Sequence, residues 1–320
     1  SASGSLSSPM AAAFWTGEDS AMNNMFRRLT ILIPYLWLLV LFLLPLLIVF
    51  RISISILEYG SPPYVPQFDF AGGWSGFVDN LSMFNLDNYR FLASDALYRN
   101  AYISSVVIAF ISTMFTLMIG FPLAYGMARA STALRPILLM LVILPFWTSF
   151  LIRVYAWIGI LKPEGLLNQL LLALGVISEP LTILNTNTAV YIGIVYSYLP
   201  FMVLPIYSTL EKLDYSLIEA AQDLGCTPLG AFWKVTIRLS LPGMLAGGLL
   251  VFIPAVGGFV IPGLLGGSQT LMIGKVLWTE FFNNGDWTIS SALAMVLLIV
   301  LVVPIVLFQN AQAKATEAGK

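Results

Sequence analysis

Long runs of apolar residues dominate the chain and set its predicted elements. A helix needs about 20 apolar residues to cross a hydrocarbon core about 30 Å thick. Six stretches of suitable length occur, at 30–50, 101–127, 136–161, 189–210, 241–261 and 287–308. Only the third of them contains a charged residue, Arg153. Backbone groups in lipid need partners within their own element, and these runs are too long and uniform for barrel strands. The pattern predicts an all-α integral membrane protein with six transmembrane helices.

The polar segments divide the chain into a tail at 1–26, which we expect to be flexible, a transmembrane domain at 27–310 and a second tail at 311–320. The positive-inside rule favours cytoplasmic termini, because most Lys and Arg in short loops then lie inside. A loop at about 51–100 is then periplasmic and one at about 211–240 cytoplasmic. The first apolar run follows Arg27 and Arg28 directly, and we expect it to act as an uncleaved signal.

Composition narrows the possible functions. The chain is 58% hydrophobic and 10% charged, which is too apolar for a soluble protein, and its net charge of −1 gives no general attraction to nucleic acid. It has no histidine and one cysteine, Cys226, which removes His-based acid–base chemistry, disulfides and the usual zinc sites. No phosphate-binding loop of the G-x-x-x-x-G-K-[ST] type occurs. We therefore expect no enzyme activity, cofactor or metal in this chain.

A helical hairpin is predicted at 216–239, between two apolar runs. Ser216 and Glu219 have the spacing of a capping box that starts a helix. Gly225 suits the left-handed position after the helix end, and Thr227 with Pro228 suits the start of a second helix. Ala220 and Ala221 leave a shallow face that another protein could approach, although both are also ordinary helix formers.

The segment Glu219-Ala220-Ala221, followed after three residues by Gly225, resembles the EAA loop of bacterial ABC-importer permeases. The resemblance implies the type I importer permease fold, with a cytoplasmic hairpin that docks on an ATPase subunit. It assigns ATPase coupling to Ser216, Glu219, Ala220, Ala221, Asp223 and Gly225.

Three further passages, 144–161, 191–207 and 252–287, resemble the polyamine branch of that family, most closely putrescine and spermidine permeases. This implies a multi-pass inner-membrane permease that takes a polyamine from a periplasmic binding protein. The implied partners are a second, related permease and two ATPase subunits, which would bind the ATP and Mg²⁺. Arg238 stands where relatives usually carry proline, and Gly258 and Gly263 stand where they often carry acids. The first change predicts a weaker kink and the second weakens the case for cation handling.

A polyamine passage should combine aromatic faces with a few carboxylates. The candidates are Trp147, Tyr155, Trp157, Tyr191, Tyr196, Tyr198, Glu280 and Asp286. Aromatic residues also collect at membrane interfaces for reasons unrelated to transport. Arg153 has the wrong sign to bind a cation; carbonyl capping, an acidic partner or snorkelling would explain it, and it could also prevent cation leakage.

Glycine and proline gather in the later apolar runs. Pro200 and Pro205 lie in the fourth run, and Pro254, Gly257–Gly258 and Pro262–Gly263 lie at the end of the fifth. Such residues mark either simple kinks or irregular backbone that lines a passage.

Three other functions remain open at the level of the sequence. An importer of the same class could carry another small solute, such as an opine, an amino acid or an organic cation. An ion-coupled secondary transporter would need no ATPase, but the apolar runs lack the acids that such coupling uses. An intramembrane enzyme would need His or clustered acids, which those runs do not contain.

Overall fold

The computed structural model describes residues 30–67 and 83–318. The tail predicted at 1–26 and part of the loop predicted at about 51–100 lie outside the described residues. The chain forms two units, 1–52 and 53–320. The described part of the first unit lies in the helix α1, Thr30–Ser53, and most of its apolar side chains are exposed, as lipid surroundings require; Ile52 near its end is buried.

The second unit begins with a two-stranded antiparallel pair, β1 (Ile56–Leu57) and β2 (Tyr64–Val65), in which Ile56 pairs with Val65. The remaining helices follow in chain order: α2 (Asp87–Ser94), α3 (Ala96–Arg129), α4 (Arg135–Ile143) with a 3₁₀ turn (Leu144–Trp147), α5 (Phe150–Leu161), α6 (Leu166–Ala173), α7 (Asn187–Glu211), α8 (Ser216–Asp223), α9 (Pro228–Gly257), α10 (Val260–Leu264), α11 (Ile273–Trp278) with a π turn (Thr279–Asn283), and α12 (Trp287–Ala318).

Five of the described helices are long and apolar enough to cross a membrane: α1, α3, α7, α9 and α12. The remaining predicted run, the third at 136–161, is not one straight helix. Its two parts, Arg135–Trp147 and Phe150–Ala173, lie at 89° to each other. Pro145 has no N–H to donate, and Thr148 and Ser149 are extended, so the helix ends there. The prediction of six spans holds if this bent pair counts as one.

The fifth run also needs a correction. Its helix was expected at 241–261, separate from the hairpin, but α9 starts at Pro228 and ends at Gly257. It passes through a π turn at Phe232–Thr236 and continues without a break past Arg238. The second arm of the hairpin and the fifth membrane helix are therefore one element.

The helices α3, α7 and α9 pack together as the centre of the second unit. Gly243 and Gly247, one turn apart on α9, permit this packing. A Cβ at Gly247 would lie 3.0 Å from the carbonyl oxygen of Met202 in α7. A Cβ at Gly243 would lie 2.8 Å from the carbonyl oxygen of Pro205 in the same helix. Small residues four apart allow two membrane helices to approach closely. Since α7 leads into the hairpin and α9 leaves it, this contact holds the hairpin's two supports together.

Candidate functional site

The turn of the hairpin adopts the geometry that the sequence predicts. Gly225 has φ of +86°, in the left-handed region that favours glycine. Its N–H donates to the Gln222 carbonyl at 2.8 Å, and the N–H of Cys226 donates to the Ala221 carbonyl at 3.0 Å. These two bonds are a Schellman motif, which satisfies the free carbonyls at the end of α8. Thr227 then accepts from the Gly230 N–H at 3.1 Å and starts α9 with Pro228, as predicted.

The start of α8 differs from the prediction. Ser216 does not cap the helix, and the expected box with Glu219 does not form. The Asp214 carboxylate instead accepts from the Ser216 N–H at 3.0 Å. A charged acceptor makes a stronger bond to a backbone N–H than a hydroxyl does, and Asp214 precedes the helix at the right distance. The backbone N–H of Ser216, and to a smaller extent its hydroxyl, lower the pKa of Asp214 below its ordinary value.

The outer surface of the hairpin is open to a partner. Ser216, Glu219, Ala220, Asp223 and Gly225 are exposed, and Ala221 is half-buried. Three large apolar side chains near the turn are exposed as well: Leu224 (87%), Leu229 (72%) and Trp233. Sequence reasoning singled out the small and acidic residues but missed these three. Two leucines flanking a predicted turn in a polar loop were the available signal.

The inner surface of the hairpin rests on α3. The Arg129 guanidinium carbon lies 5.2 Å from the centre of the Tyr125 ring and 4.7 Å from that of Tyr215, just before α8. From the other arm, Phe232 meets Phe121 at 6.0 Å and Tyr125 at 5.5 Å between ring centres, both edge to face. Cation–π contacts contribute about 0.5–2 kcal/mol each, depending on exposure. Both arms of the hairpin therefore contact the same stretch of α3.

Arg135 joins the ends of three helices beside this contact. It donates to the carbonyls of Ala128 at 2.9 Å and Ala130 at 3.1 Å, where α3 ends. Its guanidinium lies 3.8 Å from Glu211, which also accepts from the Tyr207 hydroxyl at 2.9 Å. The ion pair is partly exposed and contributes little by itself. The carbonyl bonds fix the start of α4 against the end of α3.

Two adjoining cavities lie at the break between α9 and α10. The first, of about 190 Å³, is lined by the predicted passage residue Tyr198 together with Phe150 and Gly258. The second, of about 360 Å³, is lined by the predicted Tyr155 together with Gly263 and Trp278. Phe259 and Val260 border both. Gly258 and Gly263, where the resemblance led us to expect acids, therefore line these cavities. The walls are largely aromatic and aliphatic, apart from Lys275 and Thr279 in the second cavity.

The other predicted aromatic residues do not converge there. Tyr191 packs edge to face on Phe115 of α3, with 6.1 Å between ring centres. Tyr196 packs in the same way on Trp157 of α5 at 5.4 Å. Trp147 is 74% exposed at the break in the third run. The tyrosines of α7 thus contact different helices, and only Tyr198 lines a cavity at this break.

Both predicted carboxylates already have hydrogen-bond partners. Glu280 accepts from the Tyr98 hydroxyl at 2.9 Å and from the Asn284 side chain at 2.7 Å. Asp286 accepts from the Ile289 N–H and the Thr288 hydroxyl, each at 2.8 Å, and so caps α12. In this structure the two acids connect α3, the π turn and α12 rather than facing the cavities.

Arg153 is 9% exposed, and its guanidinium carbon lies 5.3 Å from the Phe146 ring centre and 5.7 Å from that of Phe150. Its Nε and Nη1 have no hydrogen-bond partner within the described ranges 30–67 and 83–318. It therefore neither caps carbonyls nor pairs with an acid among those residues; aromatic faces take that place. Within the same ranges, no three Cys, Asp or Glu side chains converge as a metal site requires.

Known proteins share this architecture. A solved ABC transporter that imports the acidic polysaccharide alginate superimposes with a TM-score of 0.67 at 15% identity, covering 93% of this chain and 98% of its own. A second alginate transporter structure, in complex with its loaded periplasmic protein, gives 0.62 at 17% identity, covering 90% and 98%. At these identities the likeness concerns the fold, which is that of type I ABC-importer permeases.

Sequence similarity is much higher to two curated permeases. The spermidine/putrescine transport system permease protein PotB of Haemophilus influenzae is 38% identical over 290 residues, covering 91% of this chain and 95% of the relative. PotB of Escherichia coli is 46% identical over 219 residues, covering 68% and 79%. The family described as "Binding-protein-dependent transport system inner membrane component" matches residues 101–316. The chain therefore belongs to the family of inner-membrane permeases of binding-protein-dependent transport systems.

Proposed function

We propose that this chain is a permease subunit of an ATP-driven importer that moves a polyamine, such as putrescine or spermidine, from a periplasmic binding protein into the cytoplasm. The observation that carries the proposal is the 38–46% identity to spermidine/putrescine permeases across most of the chain. The aromatic walls around Tyr198 and Phe259 suit the alkyl segments and ammonium groups of a polyamine.

The assembly contains a second, related permease, two ATPase subunits and a binding protein. Both termini and the hairpin lie in the cytoplasm. The hairpin surface around Glu219, Ala220, Leu224 and Leu229 docks on an ATPase subunit, which holds the ATP and Mg²⁺. The permease chain itself carries out no chemical step. Leu224, Leu229 and Trp233 expose apolar surface beside these residues, and exposed apolar patches mark sites at which proteins bind partners.

Transport proceeds by alternating access. ATP binding closes the ATPase dimer and draws the two hairpins together, and the passage opens outward to receive the substrate. Hydrolysis and release of the products return the passage to its inward state. Because α9 is continuous from Pro228 to Gly257, movement of the hairpin is delivered directly to the backbone beside the cavities. Coupling requires that ATP and the loaded binding protein favour the same state.

A second candidate keeps the mechanism and changes the solute to an opine, an amino acid or another organic cation. Gly258 and Gly263 favour it, because they bring no carboxylate to the cavities, while Glu280 and Asp286 are engaged elsewhere. In an importer of this kind the binding protein selects the substrate, so the permease needs only a passage of suitable size and polarity.

The test is uptake of radiolabelled putrescine by proteoliposomes that contain the complete complex, with ATP on the ATPase side and loaded binding protein on the other. We expect accumulation that an excess of spermidine reduces and that an ATPase-inactive complex abolishes. Uptake that persists with the inactive ATPase would favour an ion-coupled transporter. Absence of putrescine uptake alongside uptake of an amino acid or opine would favour the second candidate.

A further inference from the structure

One face of α3 contacts both arms of the hairpin. Phe121, Tyr125 and Arg129 follow each other at intervals of four residues, so their side chains lie on one side of the helix. The rings of Phe121 and Tyr125 are parallel to within 11° at 6.3 Å, and Arg129 continues the row. We call these three residues the α3 seat.

The first arm meets the seat through Tyr215. The Arg129 guanidinium lies between the Tyr125 and Tyr215 rings, at 5.2 and 4.7 Å from their centres. Tyr215 directly precedes α8, and its carbonyl accepts from the N–H groups of Ile218 and Glu219 in the first turn. A displacement of α8 therefore moves the ring that rests on Arg129. A planar guanidinium suits this position between two rings, whereas an ammonium group does not stack.

The second arm meets the seat through Phe232, which contacts Phe121 and Tyr125 edge to face. Phe232 is the first residue of the π turn at Phe232–Thr236, the one irregular turn within α9. A π turn is a local widening that occurs often at functional positions in helices. Its position opposite the seat places a point of adjustable geometry where the hairpin becomes the membrane helix.

Behind the seat the packing is dense. The buried residues of α3 at this level are Ala124, Met127, Ala128 and Phe121 of the seat itself. They belong to one apolar cluster with Met202, Val203, Ile206, Tyr207 and Leu210 of α7. Close-packed interiors transmit displacement because they have little free volume in which to absorb it. A movement that reaches the seat is passed to α3 and α7 together, beyond the direct route along α9.

We propose that the α3 seat is a second transmission point for the ATPase stroke, at which Phe121, Tyr125 and Arg129 act as positioning residues that convert movement of both hairpin arms into movement of α3. The inference rests on the proposed function. It predicts that the seat is needed for coupling but not for docking, because the docking surface is the opposite, exposed side of the hairpin.

The test uses the complete complex in proteoliposomes with its binding protein. Tyr125→Leu removes the aromatic ring, and Arg129→Lys replaces the planar guanidinium by an ammonium group. Tyr125→Phe retains the ring and serves as the conservative variant. Phe121→Leu tests the buried member of the seat, which is 9% exposed, and Phe110→Leu makes the same change at an exposed phenylalanine of the same helix. Three quantities are measured: copurification of the ATPase subunits, basal ATPase rate, and stimulation of that rate by loaded binding protein.

We expect all variants to retain the ATPase subunits and the basal rate. Stimulation should fall about tenfold in Tyr125→Leu and somewhat less in Arg129→Lys and Phe121→Leu, within the usual range of coupling between sites. Tyr125→Phe and Phe110→Leu should keep wild-type stimulation. A merely structural role would lower copurification or the basal rate as well.

Full stimulation of the ATPase rate in Tyr125→Leu overturns the inference. So does a loss of stimulation in Phe110→Leu that equals the loss in Phe121→Leu. Loss of the ATPase subunits from both Arg129→Lys and Tyr125→Phe also overturns it, since the seat would then only hold the hairpin for docking. A wild-type complex that responds to a different solute contradicts the proposed substrate alone, and the variants are then compared with that solute. A wild-type complex that no loaded binding protein stimulates contradicts the proposed function, and the inference fails with it.

Discussion

Gly225 shows at the scale of a single residue how the hairpin is made. Its backbone has φ of +86°, and its N–H donates to the Gln222 carbonyl. The left-handed conformation raises the free energy of a residue with a side chain by about 1–2 kcal/mol, and proline cannot adopt it at all. The direction in which the chain leaves α8 therefore depends on this position.

Gly225→Pro should insert into the membrane normally but lose ATPase association or stimulation, because the hairpin can no longer turn. Gly225→Ala should retain part of the stimulation. Gly175 provides a matched control, since it has φ of +67° and the same pair of hydrogen bonds at the end of α6, away from the hairpin. Membrane insertion, copurification and stimulated ATPase rate are measured for Gly225→Pro and Gly175→Pro. Normal coupling in Gly225→Pro would contradict the hairpin's role.

Asp214 gives a prediction on pH. Its pKa lies below the ordinary value because the charged carboxylate accepts from Ser216, so the bond stabilises the start of α8 at neutral pH and is lost as pH falls through the lowered pKa. Ser216→Ala should raise that pKa only in part, since the backbone N–H is the larger cause. Carboxyl ¹³C NMR of the labelled protein across acidic pH measures this. An Asp214 pKa at or above its ordinary value in the wild-type protein would contradict the geometry.

Local chemistry at this scale was partly readable from the sequence. Gly225, Thr227 and Pro228 were predicted because each depends on its own backbone conformation. Ser216 was assigned wrongly because a capping-box pattern gives spacing but does not rank the acceptors nearby, and Asp214 is the stronger acceptor. Arg129 between two tyrosines was missed because Tyr125 and Tyr215 are 90 residues apart and meet only through the tertiary fold.

At the scale of elements, the contact between α7 and α9 supports the hairpin. Gly247 faces α7 so closely that a Cβ would lie 3.0 Å from both the carbonyl oxygen and the sulfur of Met202. Its neighbour Gly248 faces outward from this contact, and a Cβ there would meet only a methyl of Thr113 at 3.8 Å. The two adjacent glycines therefore differ in what a side chain would meet.

Gly247→Val should destabilise the protein by about 1–3 kcal/mol, the usual cost of overpacking, because the Met202 backbone cannot move without shifting α7. Gly248→Val should have a much smaller effect. Thermal unfolding of the two variants in the same detergent makes the comparison. Equal midpoints would contradict the close packing of α7 and α9.

Helices were the most predictable elements, since continuous apolarity alone requires them in lipid. The break at Thr148–Ser149 and the fusion of the hairpin with α9 were not predicted. In the first case Pro145 lies in the uncharged first half of an apolar run, and in the second the helix crosses from polar to apolar sequence. Hydropathy marks where a chain enters the membrane and not where a helix begins.

In the whole molecule, the proposed docking surface and the α3 seat lie at one end of the continuous helix α9, and the cavities lie at its other end. Glu219 lies on the exposed side of the first arm and makes no part of the seat. Its charge is thus available to an ATPase groove, and its reversal should weaken docking without disturbing α3.

Glu219→Lys should insert and fold normally yet copurify with less ATPase subunit, the reverse of the pattern expected for the α3 seat. Asp87→Lys, a charge reversal at the exposed first turn of α2, is the matched control. Copurification at wild-type level in Glu219→Lys, together with normal uptake, would count against the docking surface.

The most direct measurement is the ATPase rate of the complete reconstituted complex with its binding protein, across putrescine, spermidine, amino acids and neutral solutes. We expect stimulation by the polyamines and not by the other solutes. Stimulation by another solute alone would retain the coupling mechanism and contradict the polyamine assignment. Absence of stimulation by any solute would contradict the importer mechanism itself.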